Sequence, residues 1–165
     1  MAEKKRNAID MQLVVFRLGN EEFGADISQV REIIRVGEIT SIPQASDCVH
    51  GVINLRGRVT MVVNLRRRLG MPNRANDGNS RIVIVEVDDN IVGMMVDSVT
   101  EVKYINGEQV DSFDNGLAGS DIRNYIVGIC KLEDHLLILV DLKKTLEGIV
   151  TVTADNGVRD KATTT

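Results

Sequence analysis

Apolar residues in this chain come in short blocks cut by polar turns. The blocks are QLVVFRL (12–18), EFGADI (22–27), GVINLR (51–56), RVTMVVN (58–64), RIVIVEV (81–87), IVGMMVD (91–97), VTEVKYI (99–105), NYIVGICKL (124–132) and HLLILVD (135–141). They are rich in Val and Ile, whose branched side chains pack well on a pleated surface, so each predicts a strand. Gly19-Asn20, Arg56-Gly57 and Asp88-Asp89-Asn90 fall between successive blocks and read as hairpin turns. Residues 28–35 (SQVREIIR) fit a helical turn by the spacing of Val30, Ile33 and Ile34, but their β-branching favours a strand after a short turn. One helical turn is expected over 44–50. Short helices are expected over 65–70, ended by Gly70 with Pro72 beyond it, and over 142–147.

The pattern occurs twice. GVINLRGRVTMVVNLRRRLG (51–70) aligns without a gap on GICKLEDHLLILVDLKKTLE (128–147) at an offset of 77. The pairs Gly51/Gly128, Leu55/Leu132, Val63/Val140, Leu65/Leu142 and Leu69/Leu146 are identical, and Asn64/Asp141 and Arg66/Lys143 are chemically close. Residues 14–36 align on 83–105 at an offset of 69, keeping Val14/Val83, Gly24/Gly93, Val30/Val99 and Glu32/Glu101. The second half therefore carries a longer internal loop, placed at 106–121. Two like halves suggest two like subdomains with a surface between them. With short strands, tight turns and one small helix per half, two small β-barrels are expected, with Gly24 and Gly93 permitting sharp bends. The expected boundaries are a mobile tail over 1–10, a first barrel over 11–72, a linker over 73–80, a second barrel over 81–149 and a mobile tail over 150–165.

Composition narrows the function classes. Val and Ile supply 38 of the 165 residues, while aromatics are scarce. No apolar run approaches the roughly 20 residues of a membrane helix, and no signal core follows the charged start. Cys48 and Cys130 do not make a disulfide framework, which points to reduced thiols in a cytoplasmic protein. Charge is uneven along the chain. Arg56, Arg58, Arg66, Arg67, Arg68 and Arg74 lie in a stretch without acids between Asp47 and Asp77, and an acidic stretch follows it. This reads either as two solvated faces or as two surfaces for different charged partners.

No catalytic constellation is present: no phosphate-binding glycine loop, no GxSxG turn and no HExxH. Cys48/His50 and Cys130/His135 do not have the spacing of a zinc knuckle and read as core thiols beside a loop histidine. No metal or other cofactor is expected. The arginines lack the interleaved aromatics of a nucleic-acid surface, so no nucleic-acid partner is expected, although a small β-barrel nucleic-acid binder stays the alternative from another class. The sharper feature is an asymmetry within the repeat. Leu55-Arg56-Gly57 becomes Leu132-Glu133-Asp134, while Glu32 and Glu101 are kept. Arg56 can pair with Glu32 if strand 28–35 passes near the hairpin. That pair is either an ordinary exposed ion pair or the organiser of a docking surface found in one half only.

GVINLRGRVTMVVNLRRRLG resembles the GVxNLRGxxxPVVDLR stretch of CheW-type chemotaxis coupling proteins, and LGNEEFGADISQVREI resembles their LGxExYGIDIxxVxEI opening. VGMMVDSVTEV and GICKLEDHLLILVDLKKTL match the second-half strands, so the resemblance covers about residues 12–147. Met61 stands where the family commonly has Pro and Asn64 where it often has Asp, for which local packing changes are expected. The resemblance implies a mainly β protein of two five-stranded SH3-like barrels related by a pseudo-two-fold, with short helices. It implies a non-enzymatic adaptor that couples chemoreceptors to the histidine kinase CheA. It would bind the CheW-like regulatory domain of CheA at one face and the helical hairpin tip of a receptor in the groove between barrels. Such a protein would be cytoplasmic, monomeric when isolated and recruited to receptor arrays without inserting in the membrane. With the chain ending soon after the second barrel, a plain coupling protein is expected rather than a fusion to a receiver domain. A coupling protein of another chemosensory pathway is the runner-up. By position, Val30, Glu32, Arg56, Val99 and Val102 would bind receptor, and Val36, Ile39, Ile42 and Gly51 would bind kinase.

Overall fold

The computed structural model of the protein describes residues 10–43, 47–112 and 124–149. The strands are β1 (Met11–Leu18), β2 (Glu21–Asp26), β3 (Val30–Arg35), β4 (Val49–Leu55), β5 (Arg58–Asn64), β6 (Arg81–Val87), β7 (Asn90–Val96), β8 (Ser98–Ile105), β9 (Val110–Ser112), β10 (Ile126–Lys131) and β11 (Leu136–Val140). Two short helices, α1 (Leu65–Arg68) and α2 (Leu142–Leu146), follow β5 and β11, and 3-10 turns precede β3 and β9. The expected helical turn over 44–50 is not found where the chain is described, since residues 47–48 form a turn and Val49 and His50 already belong to β4. Residues 1–9 and 150–165 of the expected tails, and 113–121 of the expected loop, lie outside the described residues.

Two sheets form, in the orders β8-β1-β2-β11-β10-β9 and β3-β6-β7-β5-β4. Their membership crosses the expected boundary at 73–80. The β1–β2 hairpin joins the strands of the second half, and the β6–β7 hairpin joins those of the first. Each exchanged hairpin is stitched in by a short parallel ladder. In one, Leu137, Ile138 and Leu139 face Glu22, Phe23 and Gly24. In the other, Val62, Val63 and Asn64 face Gly93, Met94 and Met95. The physical reason is burial. Ile82 and Ile84 of β6 point into one cluster with Ile53, Val62 and Met95. Val83, Val85 and Val87 of the same strand point the other way, into a cluster with Phe16, Phe23, Met94 and Leu142. A strand apolar on both faces is stable only with core on both sides.

The same alternation runs through β1, whose Leu13 and Val15 join Leu137, Leu139 and Cys130, while Phe16 and Leu18 enter the large shared cluster. Each barrel thus has its own small core, and the largest core lies between them. Phe16 and Phe23 stack there at 5.7 Å between ring centroids.

Both barrels close in the same way. After β3 the chain returns to the β4 edge, where Thr40 and Val52 exchange backbone hydrogen bonds of 2.9 and 2.8 Å. After β8 the chain returns as β9 and pairs with β10, Asp111 opposite Ile129. Gly51 and Gly128 sit at these closures. A Cβ on Gly128 would lie 2.6 Å from the Asp111 carbonyl oxygen, and one on Gly51 would collide with the Thr40 carbonyl. Glycine is required at both for the close approach of a backbone. Gly24 and Gly93, expected at bends, instead make room for packed side chains: a Cβ on Gly93 would lie 2.7 Å from Ile82.

Candidate functional site

Barrel closure assembles the first group of candidate residues. β3 and β4 are opposite edges of their sheet, and closing the barrel brings the β4–β5 turn over β3. Arg56 and Gly57 occupy that turn with φ of 52° and 84°, as a two-residue hairpin of this hand demands. The Asn54 side chain accepts from the Gly57 N–H at 2.7 Å and holds the turn. From it, Arg56 donates to both carboxylate oxygens of Glu32 at 2.6 Å. This fork-to-fork contact is geometrically specific as well as charged. The Arg56 hydrogen bond holds the Glu32 carboxyl below its ordinary range, against an opposing effect of desolvation. Arg31 pairs with Glu86 on the neighbouring strand. Beside these two pairs lies a cavity of about 260 Å3 lined by Leu55, Val59, Ile84 and Ile91 among others.

The remaining receptor candidates divide by exposure. Val30 and Val99, partners in the repeat, both pack against the large shared cluster from its margin. Val102 on β8 is 48% exposed, and Ile33, which occupies the equivalent place on β3, is 39% exposed. Ile33 is a residue that sequence reasoning missed, although the offset of 69 already pairs it with Val102. Tyr104 on β8 and Val59 beside the Arg56 turn are also largely exposed. Among the kinase candidates, Val36 and Ile39 pack against the first barrel's small cluster, and Ile42 is 39% exposed. Gly51 is buried, and its visible role is the close approach to Thr40 rather than a surface contact.

Half of the arginine-rich stretch is engaged by the second half of the chain. Arg66 donates to Asp97 at 3.0 and 2.6 Å, and Arg74 donates to the same carboxylate at 2.9 Å. The Gly19 N–H adds a bond of 2.7 Å, so Asp97 joins the β1–β2 turn, α1, the segment after it and the end of β7. Burial works against the Asp97 charge, but Arg66, the Gly19 amide and Arg74 prevail and bring its pKa to about 2. Arg68 donates to the carbonyls of Thr145 and Glu147 at 2.6 Å and lies over the Tyr125 ring, capping α2 from the other half. Three of the six arginines, Arg66, Arg68 and Arg74, are thus spent on bonds between halves.

Asn64 and Asp141, partners in the repeat, each cap the helix that follows, accepting from Arg67 N–H and Lys144 N–H. Asn and Asp serve equally well there, which explains the departure at position 64 without a packing change. Cys130 is buried in the second barrel, and burial raises its thiol pKa. Among the described residues no group of three His, Cys, Asp or Glu is placed to hold a metal ion. Among them too, no helix is long and apolar enough to cross a membrane.

Comparison with known proteins identifies this architecture. The profile of the CheW-like domain matches residues 12–150. The chain is 31% identical over 148 residues to the chemotaxis protein CheW of Klebsiella aerogenes, covering 90% of this chain and 89% of that one. It is 32% identical over 136 residues to the chemotaxis protein CheW of Bacillus subtilis, covering 82% and 86%. Among solved structures, the scaffolding protein TtCheW from Thermoanaerobacter tengcongensis matches with a TM-score of 0.76 at 32% identity, over 84% of this chain and 94% of that one.

Proposed function

The chain belongs to the CheW-like domain family, and from that premise we propose that it is a non-enzymatic adaptor of chemotaxis signal transduction. It couples chemoreceptors to the histidine kinase CheA from the cytoplasm and reaches the membrane only through its partners. The observation that carries this reading is the match over 12–150 to a family whose relatives are chemotaxis and scaffolding proteins. The geometry supports it. Val30 and Val99 pack at the margin of the core shared by the barrels, Ile33 and Val102 are exposed on the same two strands, and Glu32 of β3 is held by Arg56. An apolar strip beside a fixed charge pair suits the amphipathic face of a helix, with buried anchors for affinity and charge for register. Val36, Ile39 and Ile42 offer a second face for the kinase.

Isothermal calorimetry against the CheW-like regulatory domain of CheA from the same organism tests the proposal. Saturable one-to-one binding is expected. No binding by a chain shown to be folded overturns it. Receptor docking is tested by charge reversal: Arg56→Glu weakens binding of a receptor tip fragment, and adding Glu32→Arg restores part of it while the thermal midpoint stays unchanged. A double variant that binds no better than either single removes the pair from the receptor face.

A further inference from the structure

The two barrels differ at one structural joint. In the first, the hairpin position Arg58 and the strand position Ile91 have as repeat partners His135 and Glu22 in the second. Both of the latter are polar, and they meet. The His135 ring spans two elements, with Nε2 2.7 Å from the Glu22 carboxylate on β2 and Nδ1 2.6 Å from the Asp134 carboxylate in its own turn. A neutral imidazole has one N–H, so it can donate to only one of the two carboxylates and must turn a lone pair on the other. An imidazolium donates to both. The placement between two carboxylates therefore favours the protonated ring, and the joint it closes lies at the end of the short β2–β11 ladder, where Leu137 faces Glu22.

We propose that His135 is a pH-responsive latch that fastens the β10–β11 turn to β2. The groups facing it are mostly acidic. Glu22 also accepts from Arg17 of β1 at 3.3 Å, and Glu21 lines the same open cleft of about 540 Å3. Asp134 stands on the other side, preceded by Glu133, and Lys103 of β8 acts on Asp134 from a distance. The hydrogen bond to Asp134, then that to Glu22, raises the His135 pKa against a smaller cost of desolvation. A raised folded-state pKa gives a contribution fully present below the unfolded value of about 6.5 and lost as pH rises through the folded value. The latch is closed below the ordinary imidazole range and opens as pH rises through the raised folded value. Leu136, the next residue and 54% exposed, moves with the turn, so presentation of this apolar group follows pH. The equivalent joint of the first barrel holds no histidine and does not respond.

Ring resonances of His135 in the full chain, followed between about pH 5.5 and 8.5, test the latch together with amide exchange at 132–136. The His135 midpoint is expected above that of a model peptide, and Glu22→Gln and Asp134→Asn are each expected to lower it. Asp134 is almost fully exposed, so its substitution leaves the fold intact. Protection of the turn amides, corrected for intrinsic exchange, is expected to fall several-fold as pH crosses the wild-type midpoint and to stay flat in His135→Gln. A midpoint unmoved by both carboxylate substitutions, or turn protection that is the same in wild type and His135→Gln at every pH, overturns the proposal.

Discussion

Removing the carboxylate of Asp97 should cost more stability than any other single surface charge visible in this fold. Asp97 and Arg66 have side chains only 13% and 12% exposed, and the carboxylate accepts from Arg66, Arg74 and the Gly19 amide. A fall in pKa from 3.8 to about 2 corresponds to roughly 2 kcal/mol of stability at neutral pH. Substitution adds the cost of leaving the half-enclosed Arg66 guanidinium without its partner, so Asp97→Ala should lose about 2–4 kcal/mol. Asp97→Asn keeps one acceptor and should lose somewhat less. The assay is urea denaturation of wild type and both variants as a function of pH. Because the folded pKa is depressed, the stabilisation is present above the unfolded value of about 3.9 and is lost as pH falls through the folded value. The gap between wild type and Asp97→Asn should therefore be constant above about pH 5 and shrink steadily toward pH 2. A variant as stable as wild type at neutral pH, or a gap that does not change with acid, would refute the reasoning.

Two other outcomes follow from the barrel closures and the exchanged hairpins. Gly128→Ala should destabilise by about 1–3 kcal/mol in urea denaturation because the new methyl meets backbone of β9, whereas Gly78→Ala, with nothing within 4 Å of its Cβ position, should be neutral. Fragments 1–80 and 81–165 made separately should lack native β-sheet circular dichroism and recover it only when combined, since each sheet needs a hairpin from the other fragment.

Much of the fold was legible in the sequence because its local rules are strong. Turn residues at Gly19, Arg56-Gly57 and Asp88-Asp89 and blocks of β-branched residues marked nearly every strand. The internal repeat revealed two like units and, through Glu32 and Arg56, one ion pair. Which hairpin belongs to which sheet was not legible. The expectation of consecutive barrels assumed that strands near in sequence share a sheet, as most do. The parallel pairings of β2 with β11 and β5 with β7 involve residues far apart, and nothing in a strand's local pattern names its distant partner. Their trace in the sequence was indirect: RIVIVEV and MVV are apolar at consecutive positions, which signals burial on both faces. The Asp97–Arg66 bond was hidden for a similar reason, since Asp97 read only as the end of a strand. Gly51 has a backbone role that its place in the repeat did not announce. It is buried and held against the Thr40 carbonyl, where a side chain would collide.

The exchange of hairpins bears on how an adaptor can transmit a displacement. If each barrel were made from one half of the chain, the barrels would be joined by residues 73–80 and whatever interface they made, and interfaces between such domains commonly allow relative motion. Here each barrel contains two strands from the opposite half, the largest core lies between the sheets, and Asp97 and Arg68 tie the halves with part-buried bonds. Relative rotation of the barrels would have to expose that core and break the Gly19–Asp97 and Arg68–Thr145 bonds that cross between the two sheets. On the proposed docking of a receptor at the groove, a shift of the docked element would move both barrels together. On the proposed assignment of faces, a load applied near Val30 and Val99 would reach Ile42 as a displacement of the whole body. Such a body needs no second conformation to pass on a signal, only two faces held at a fixed distance.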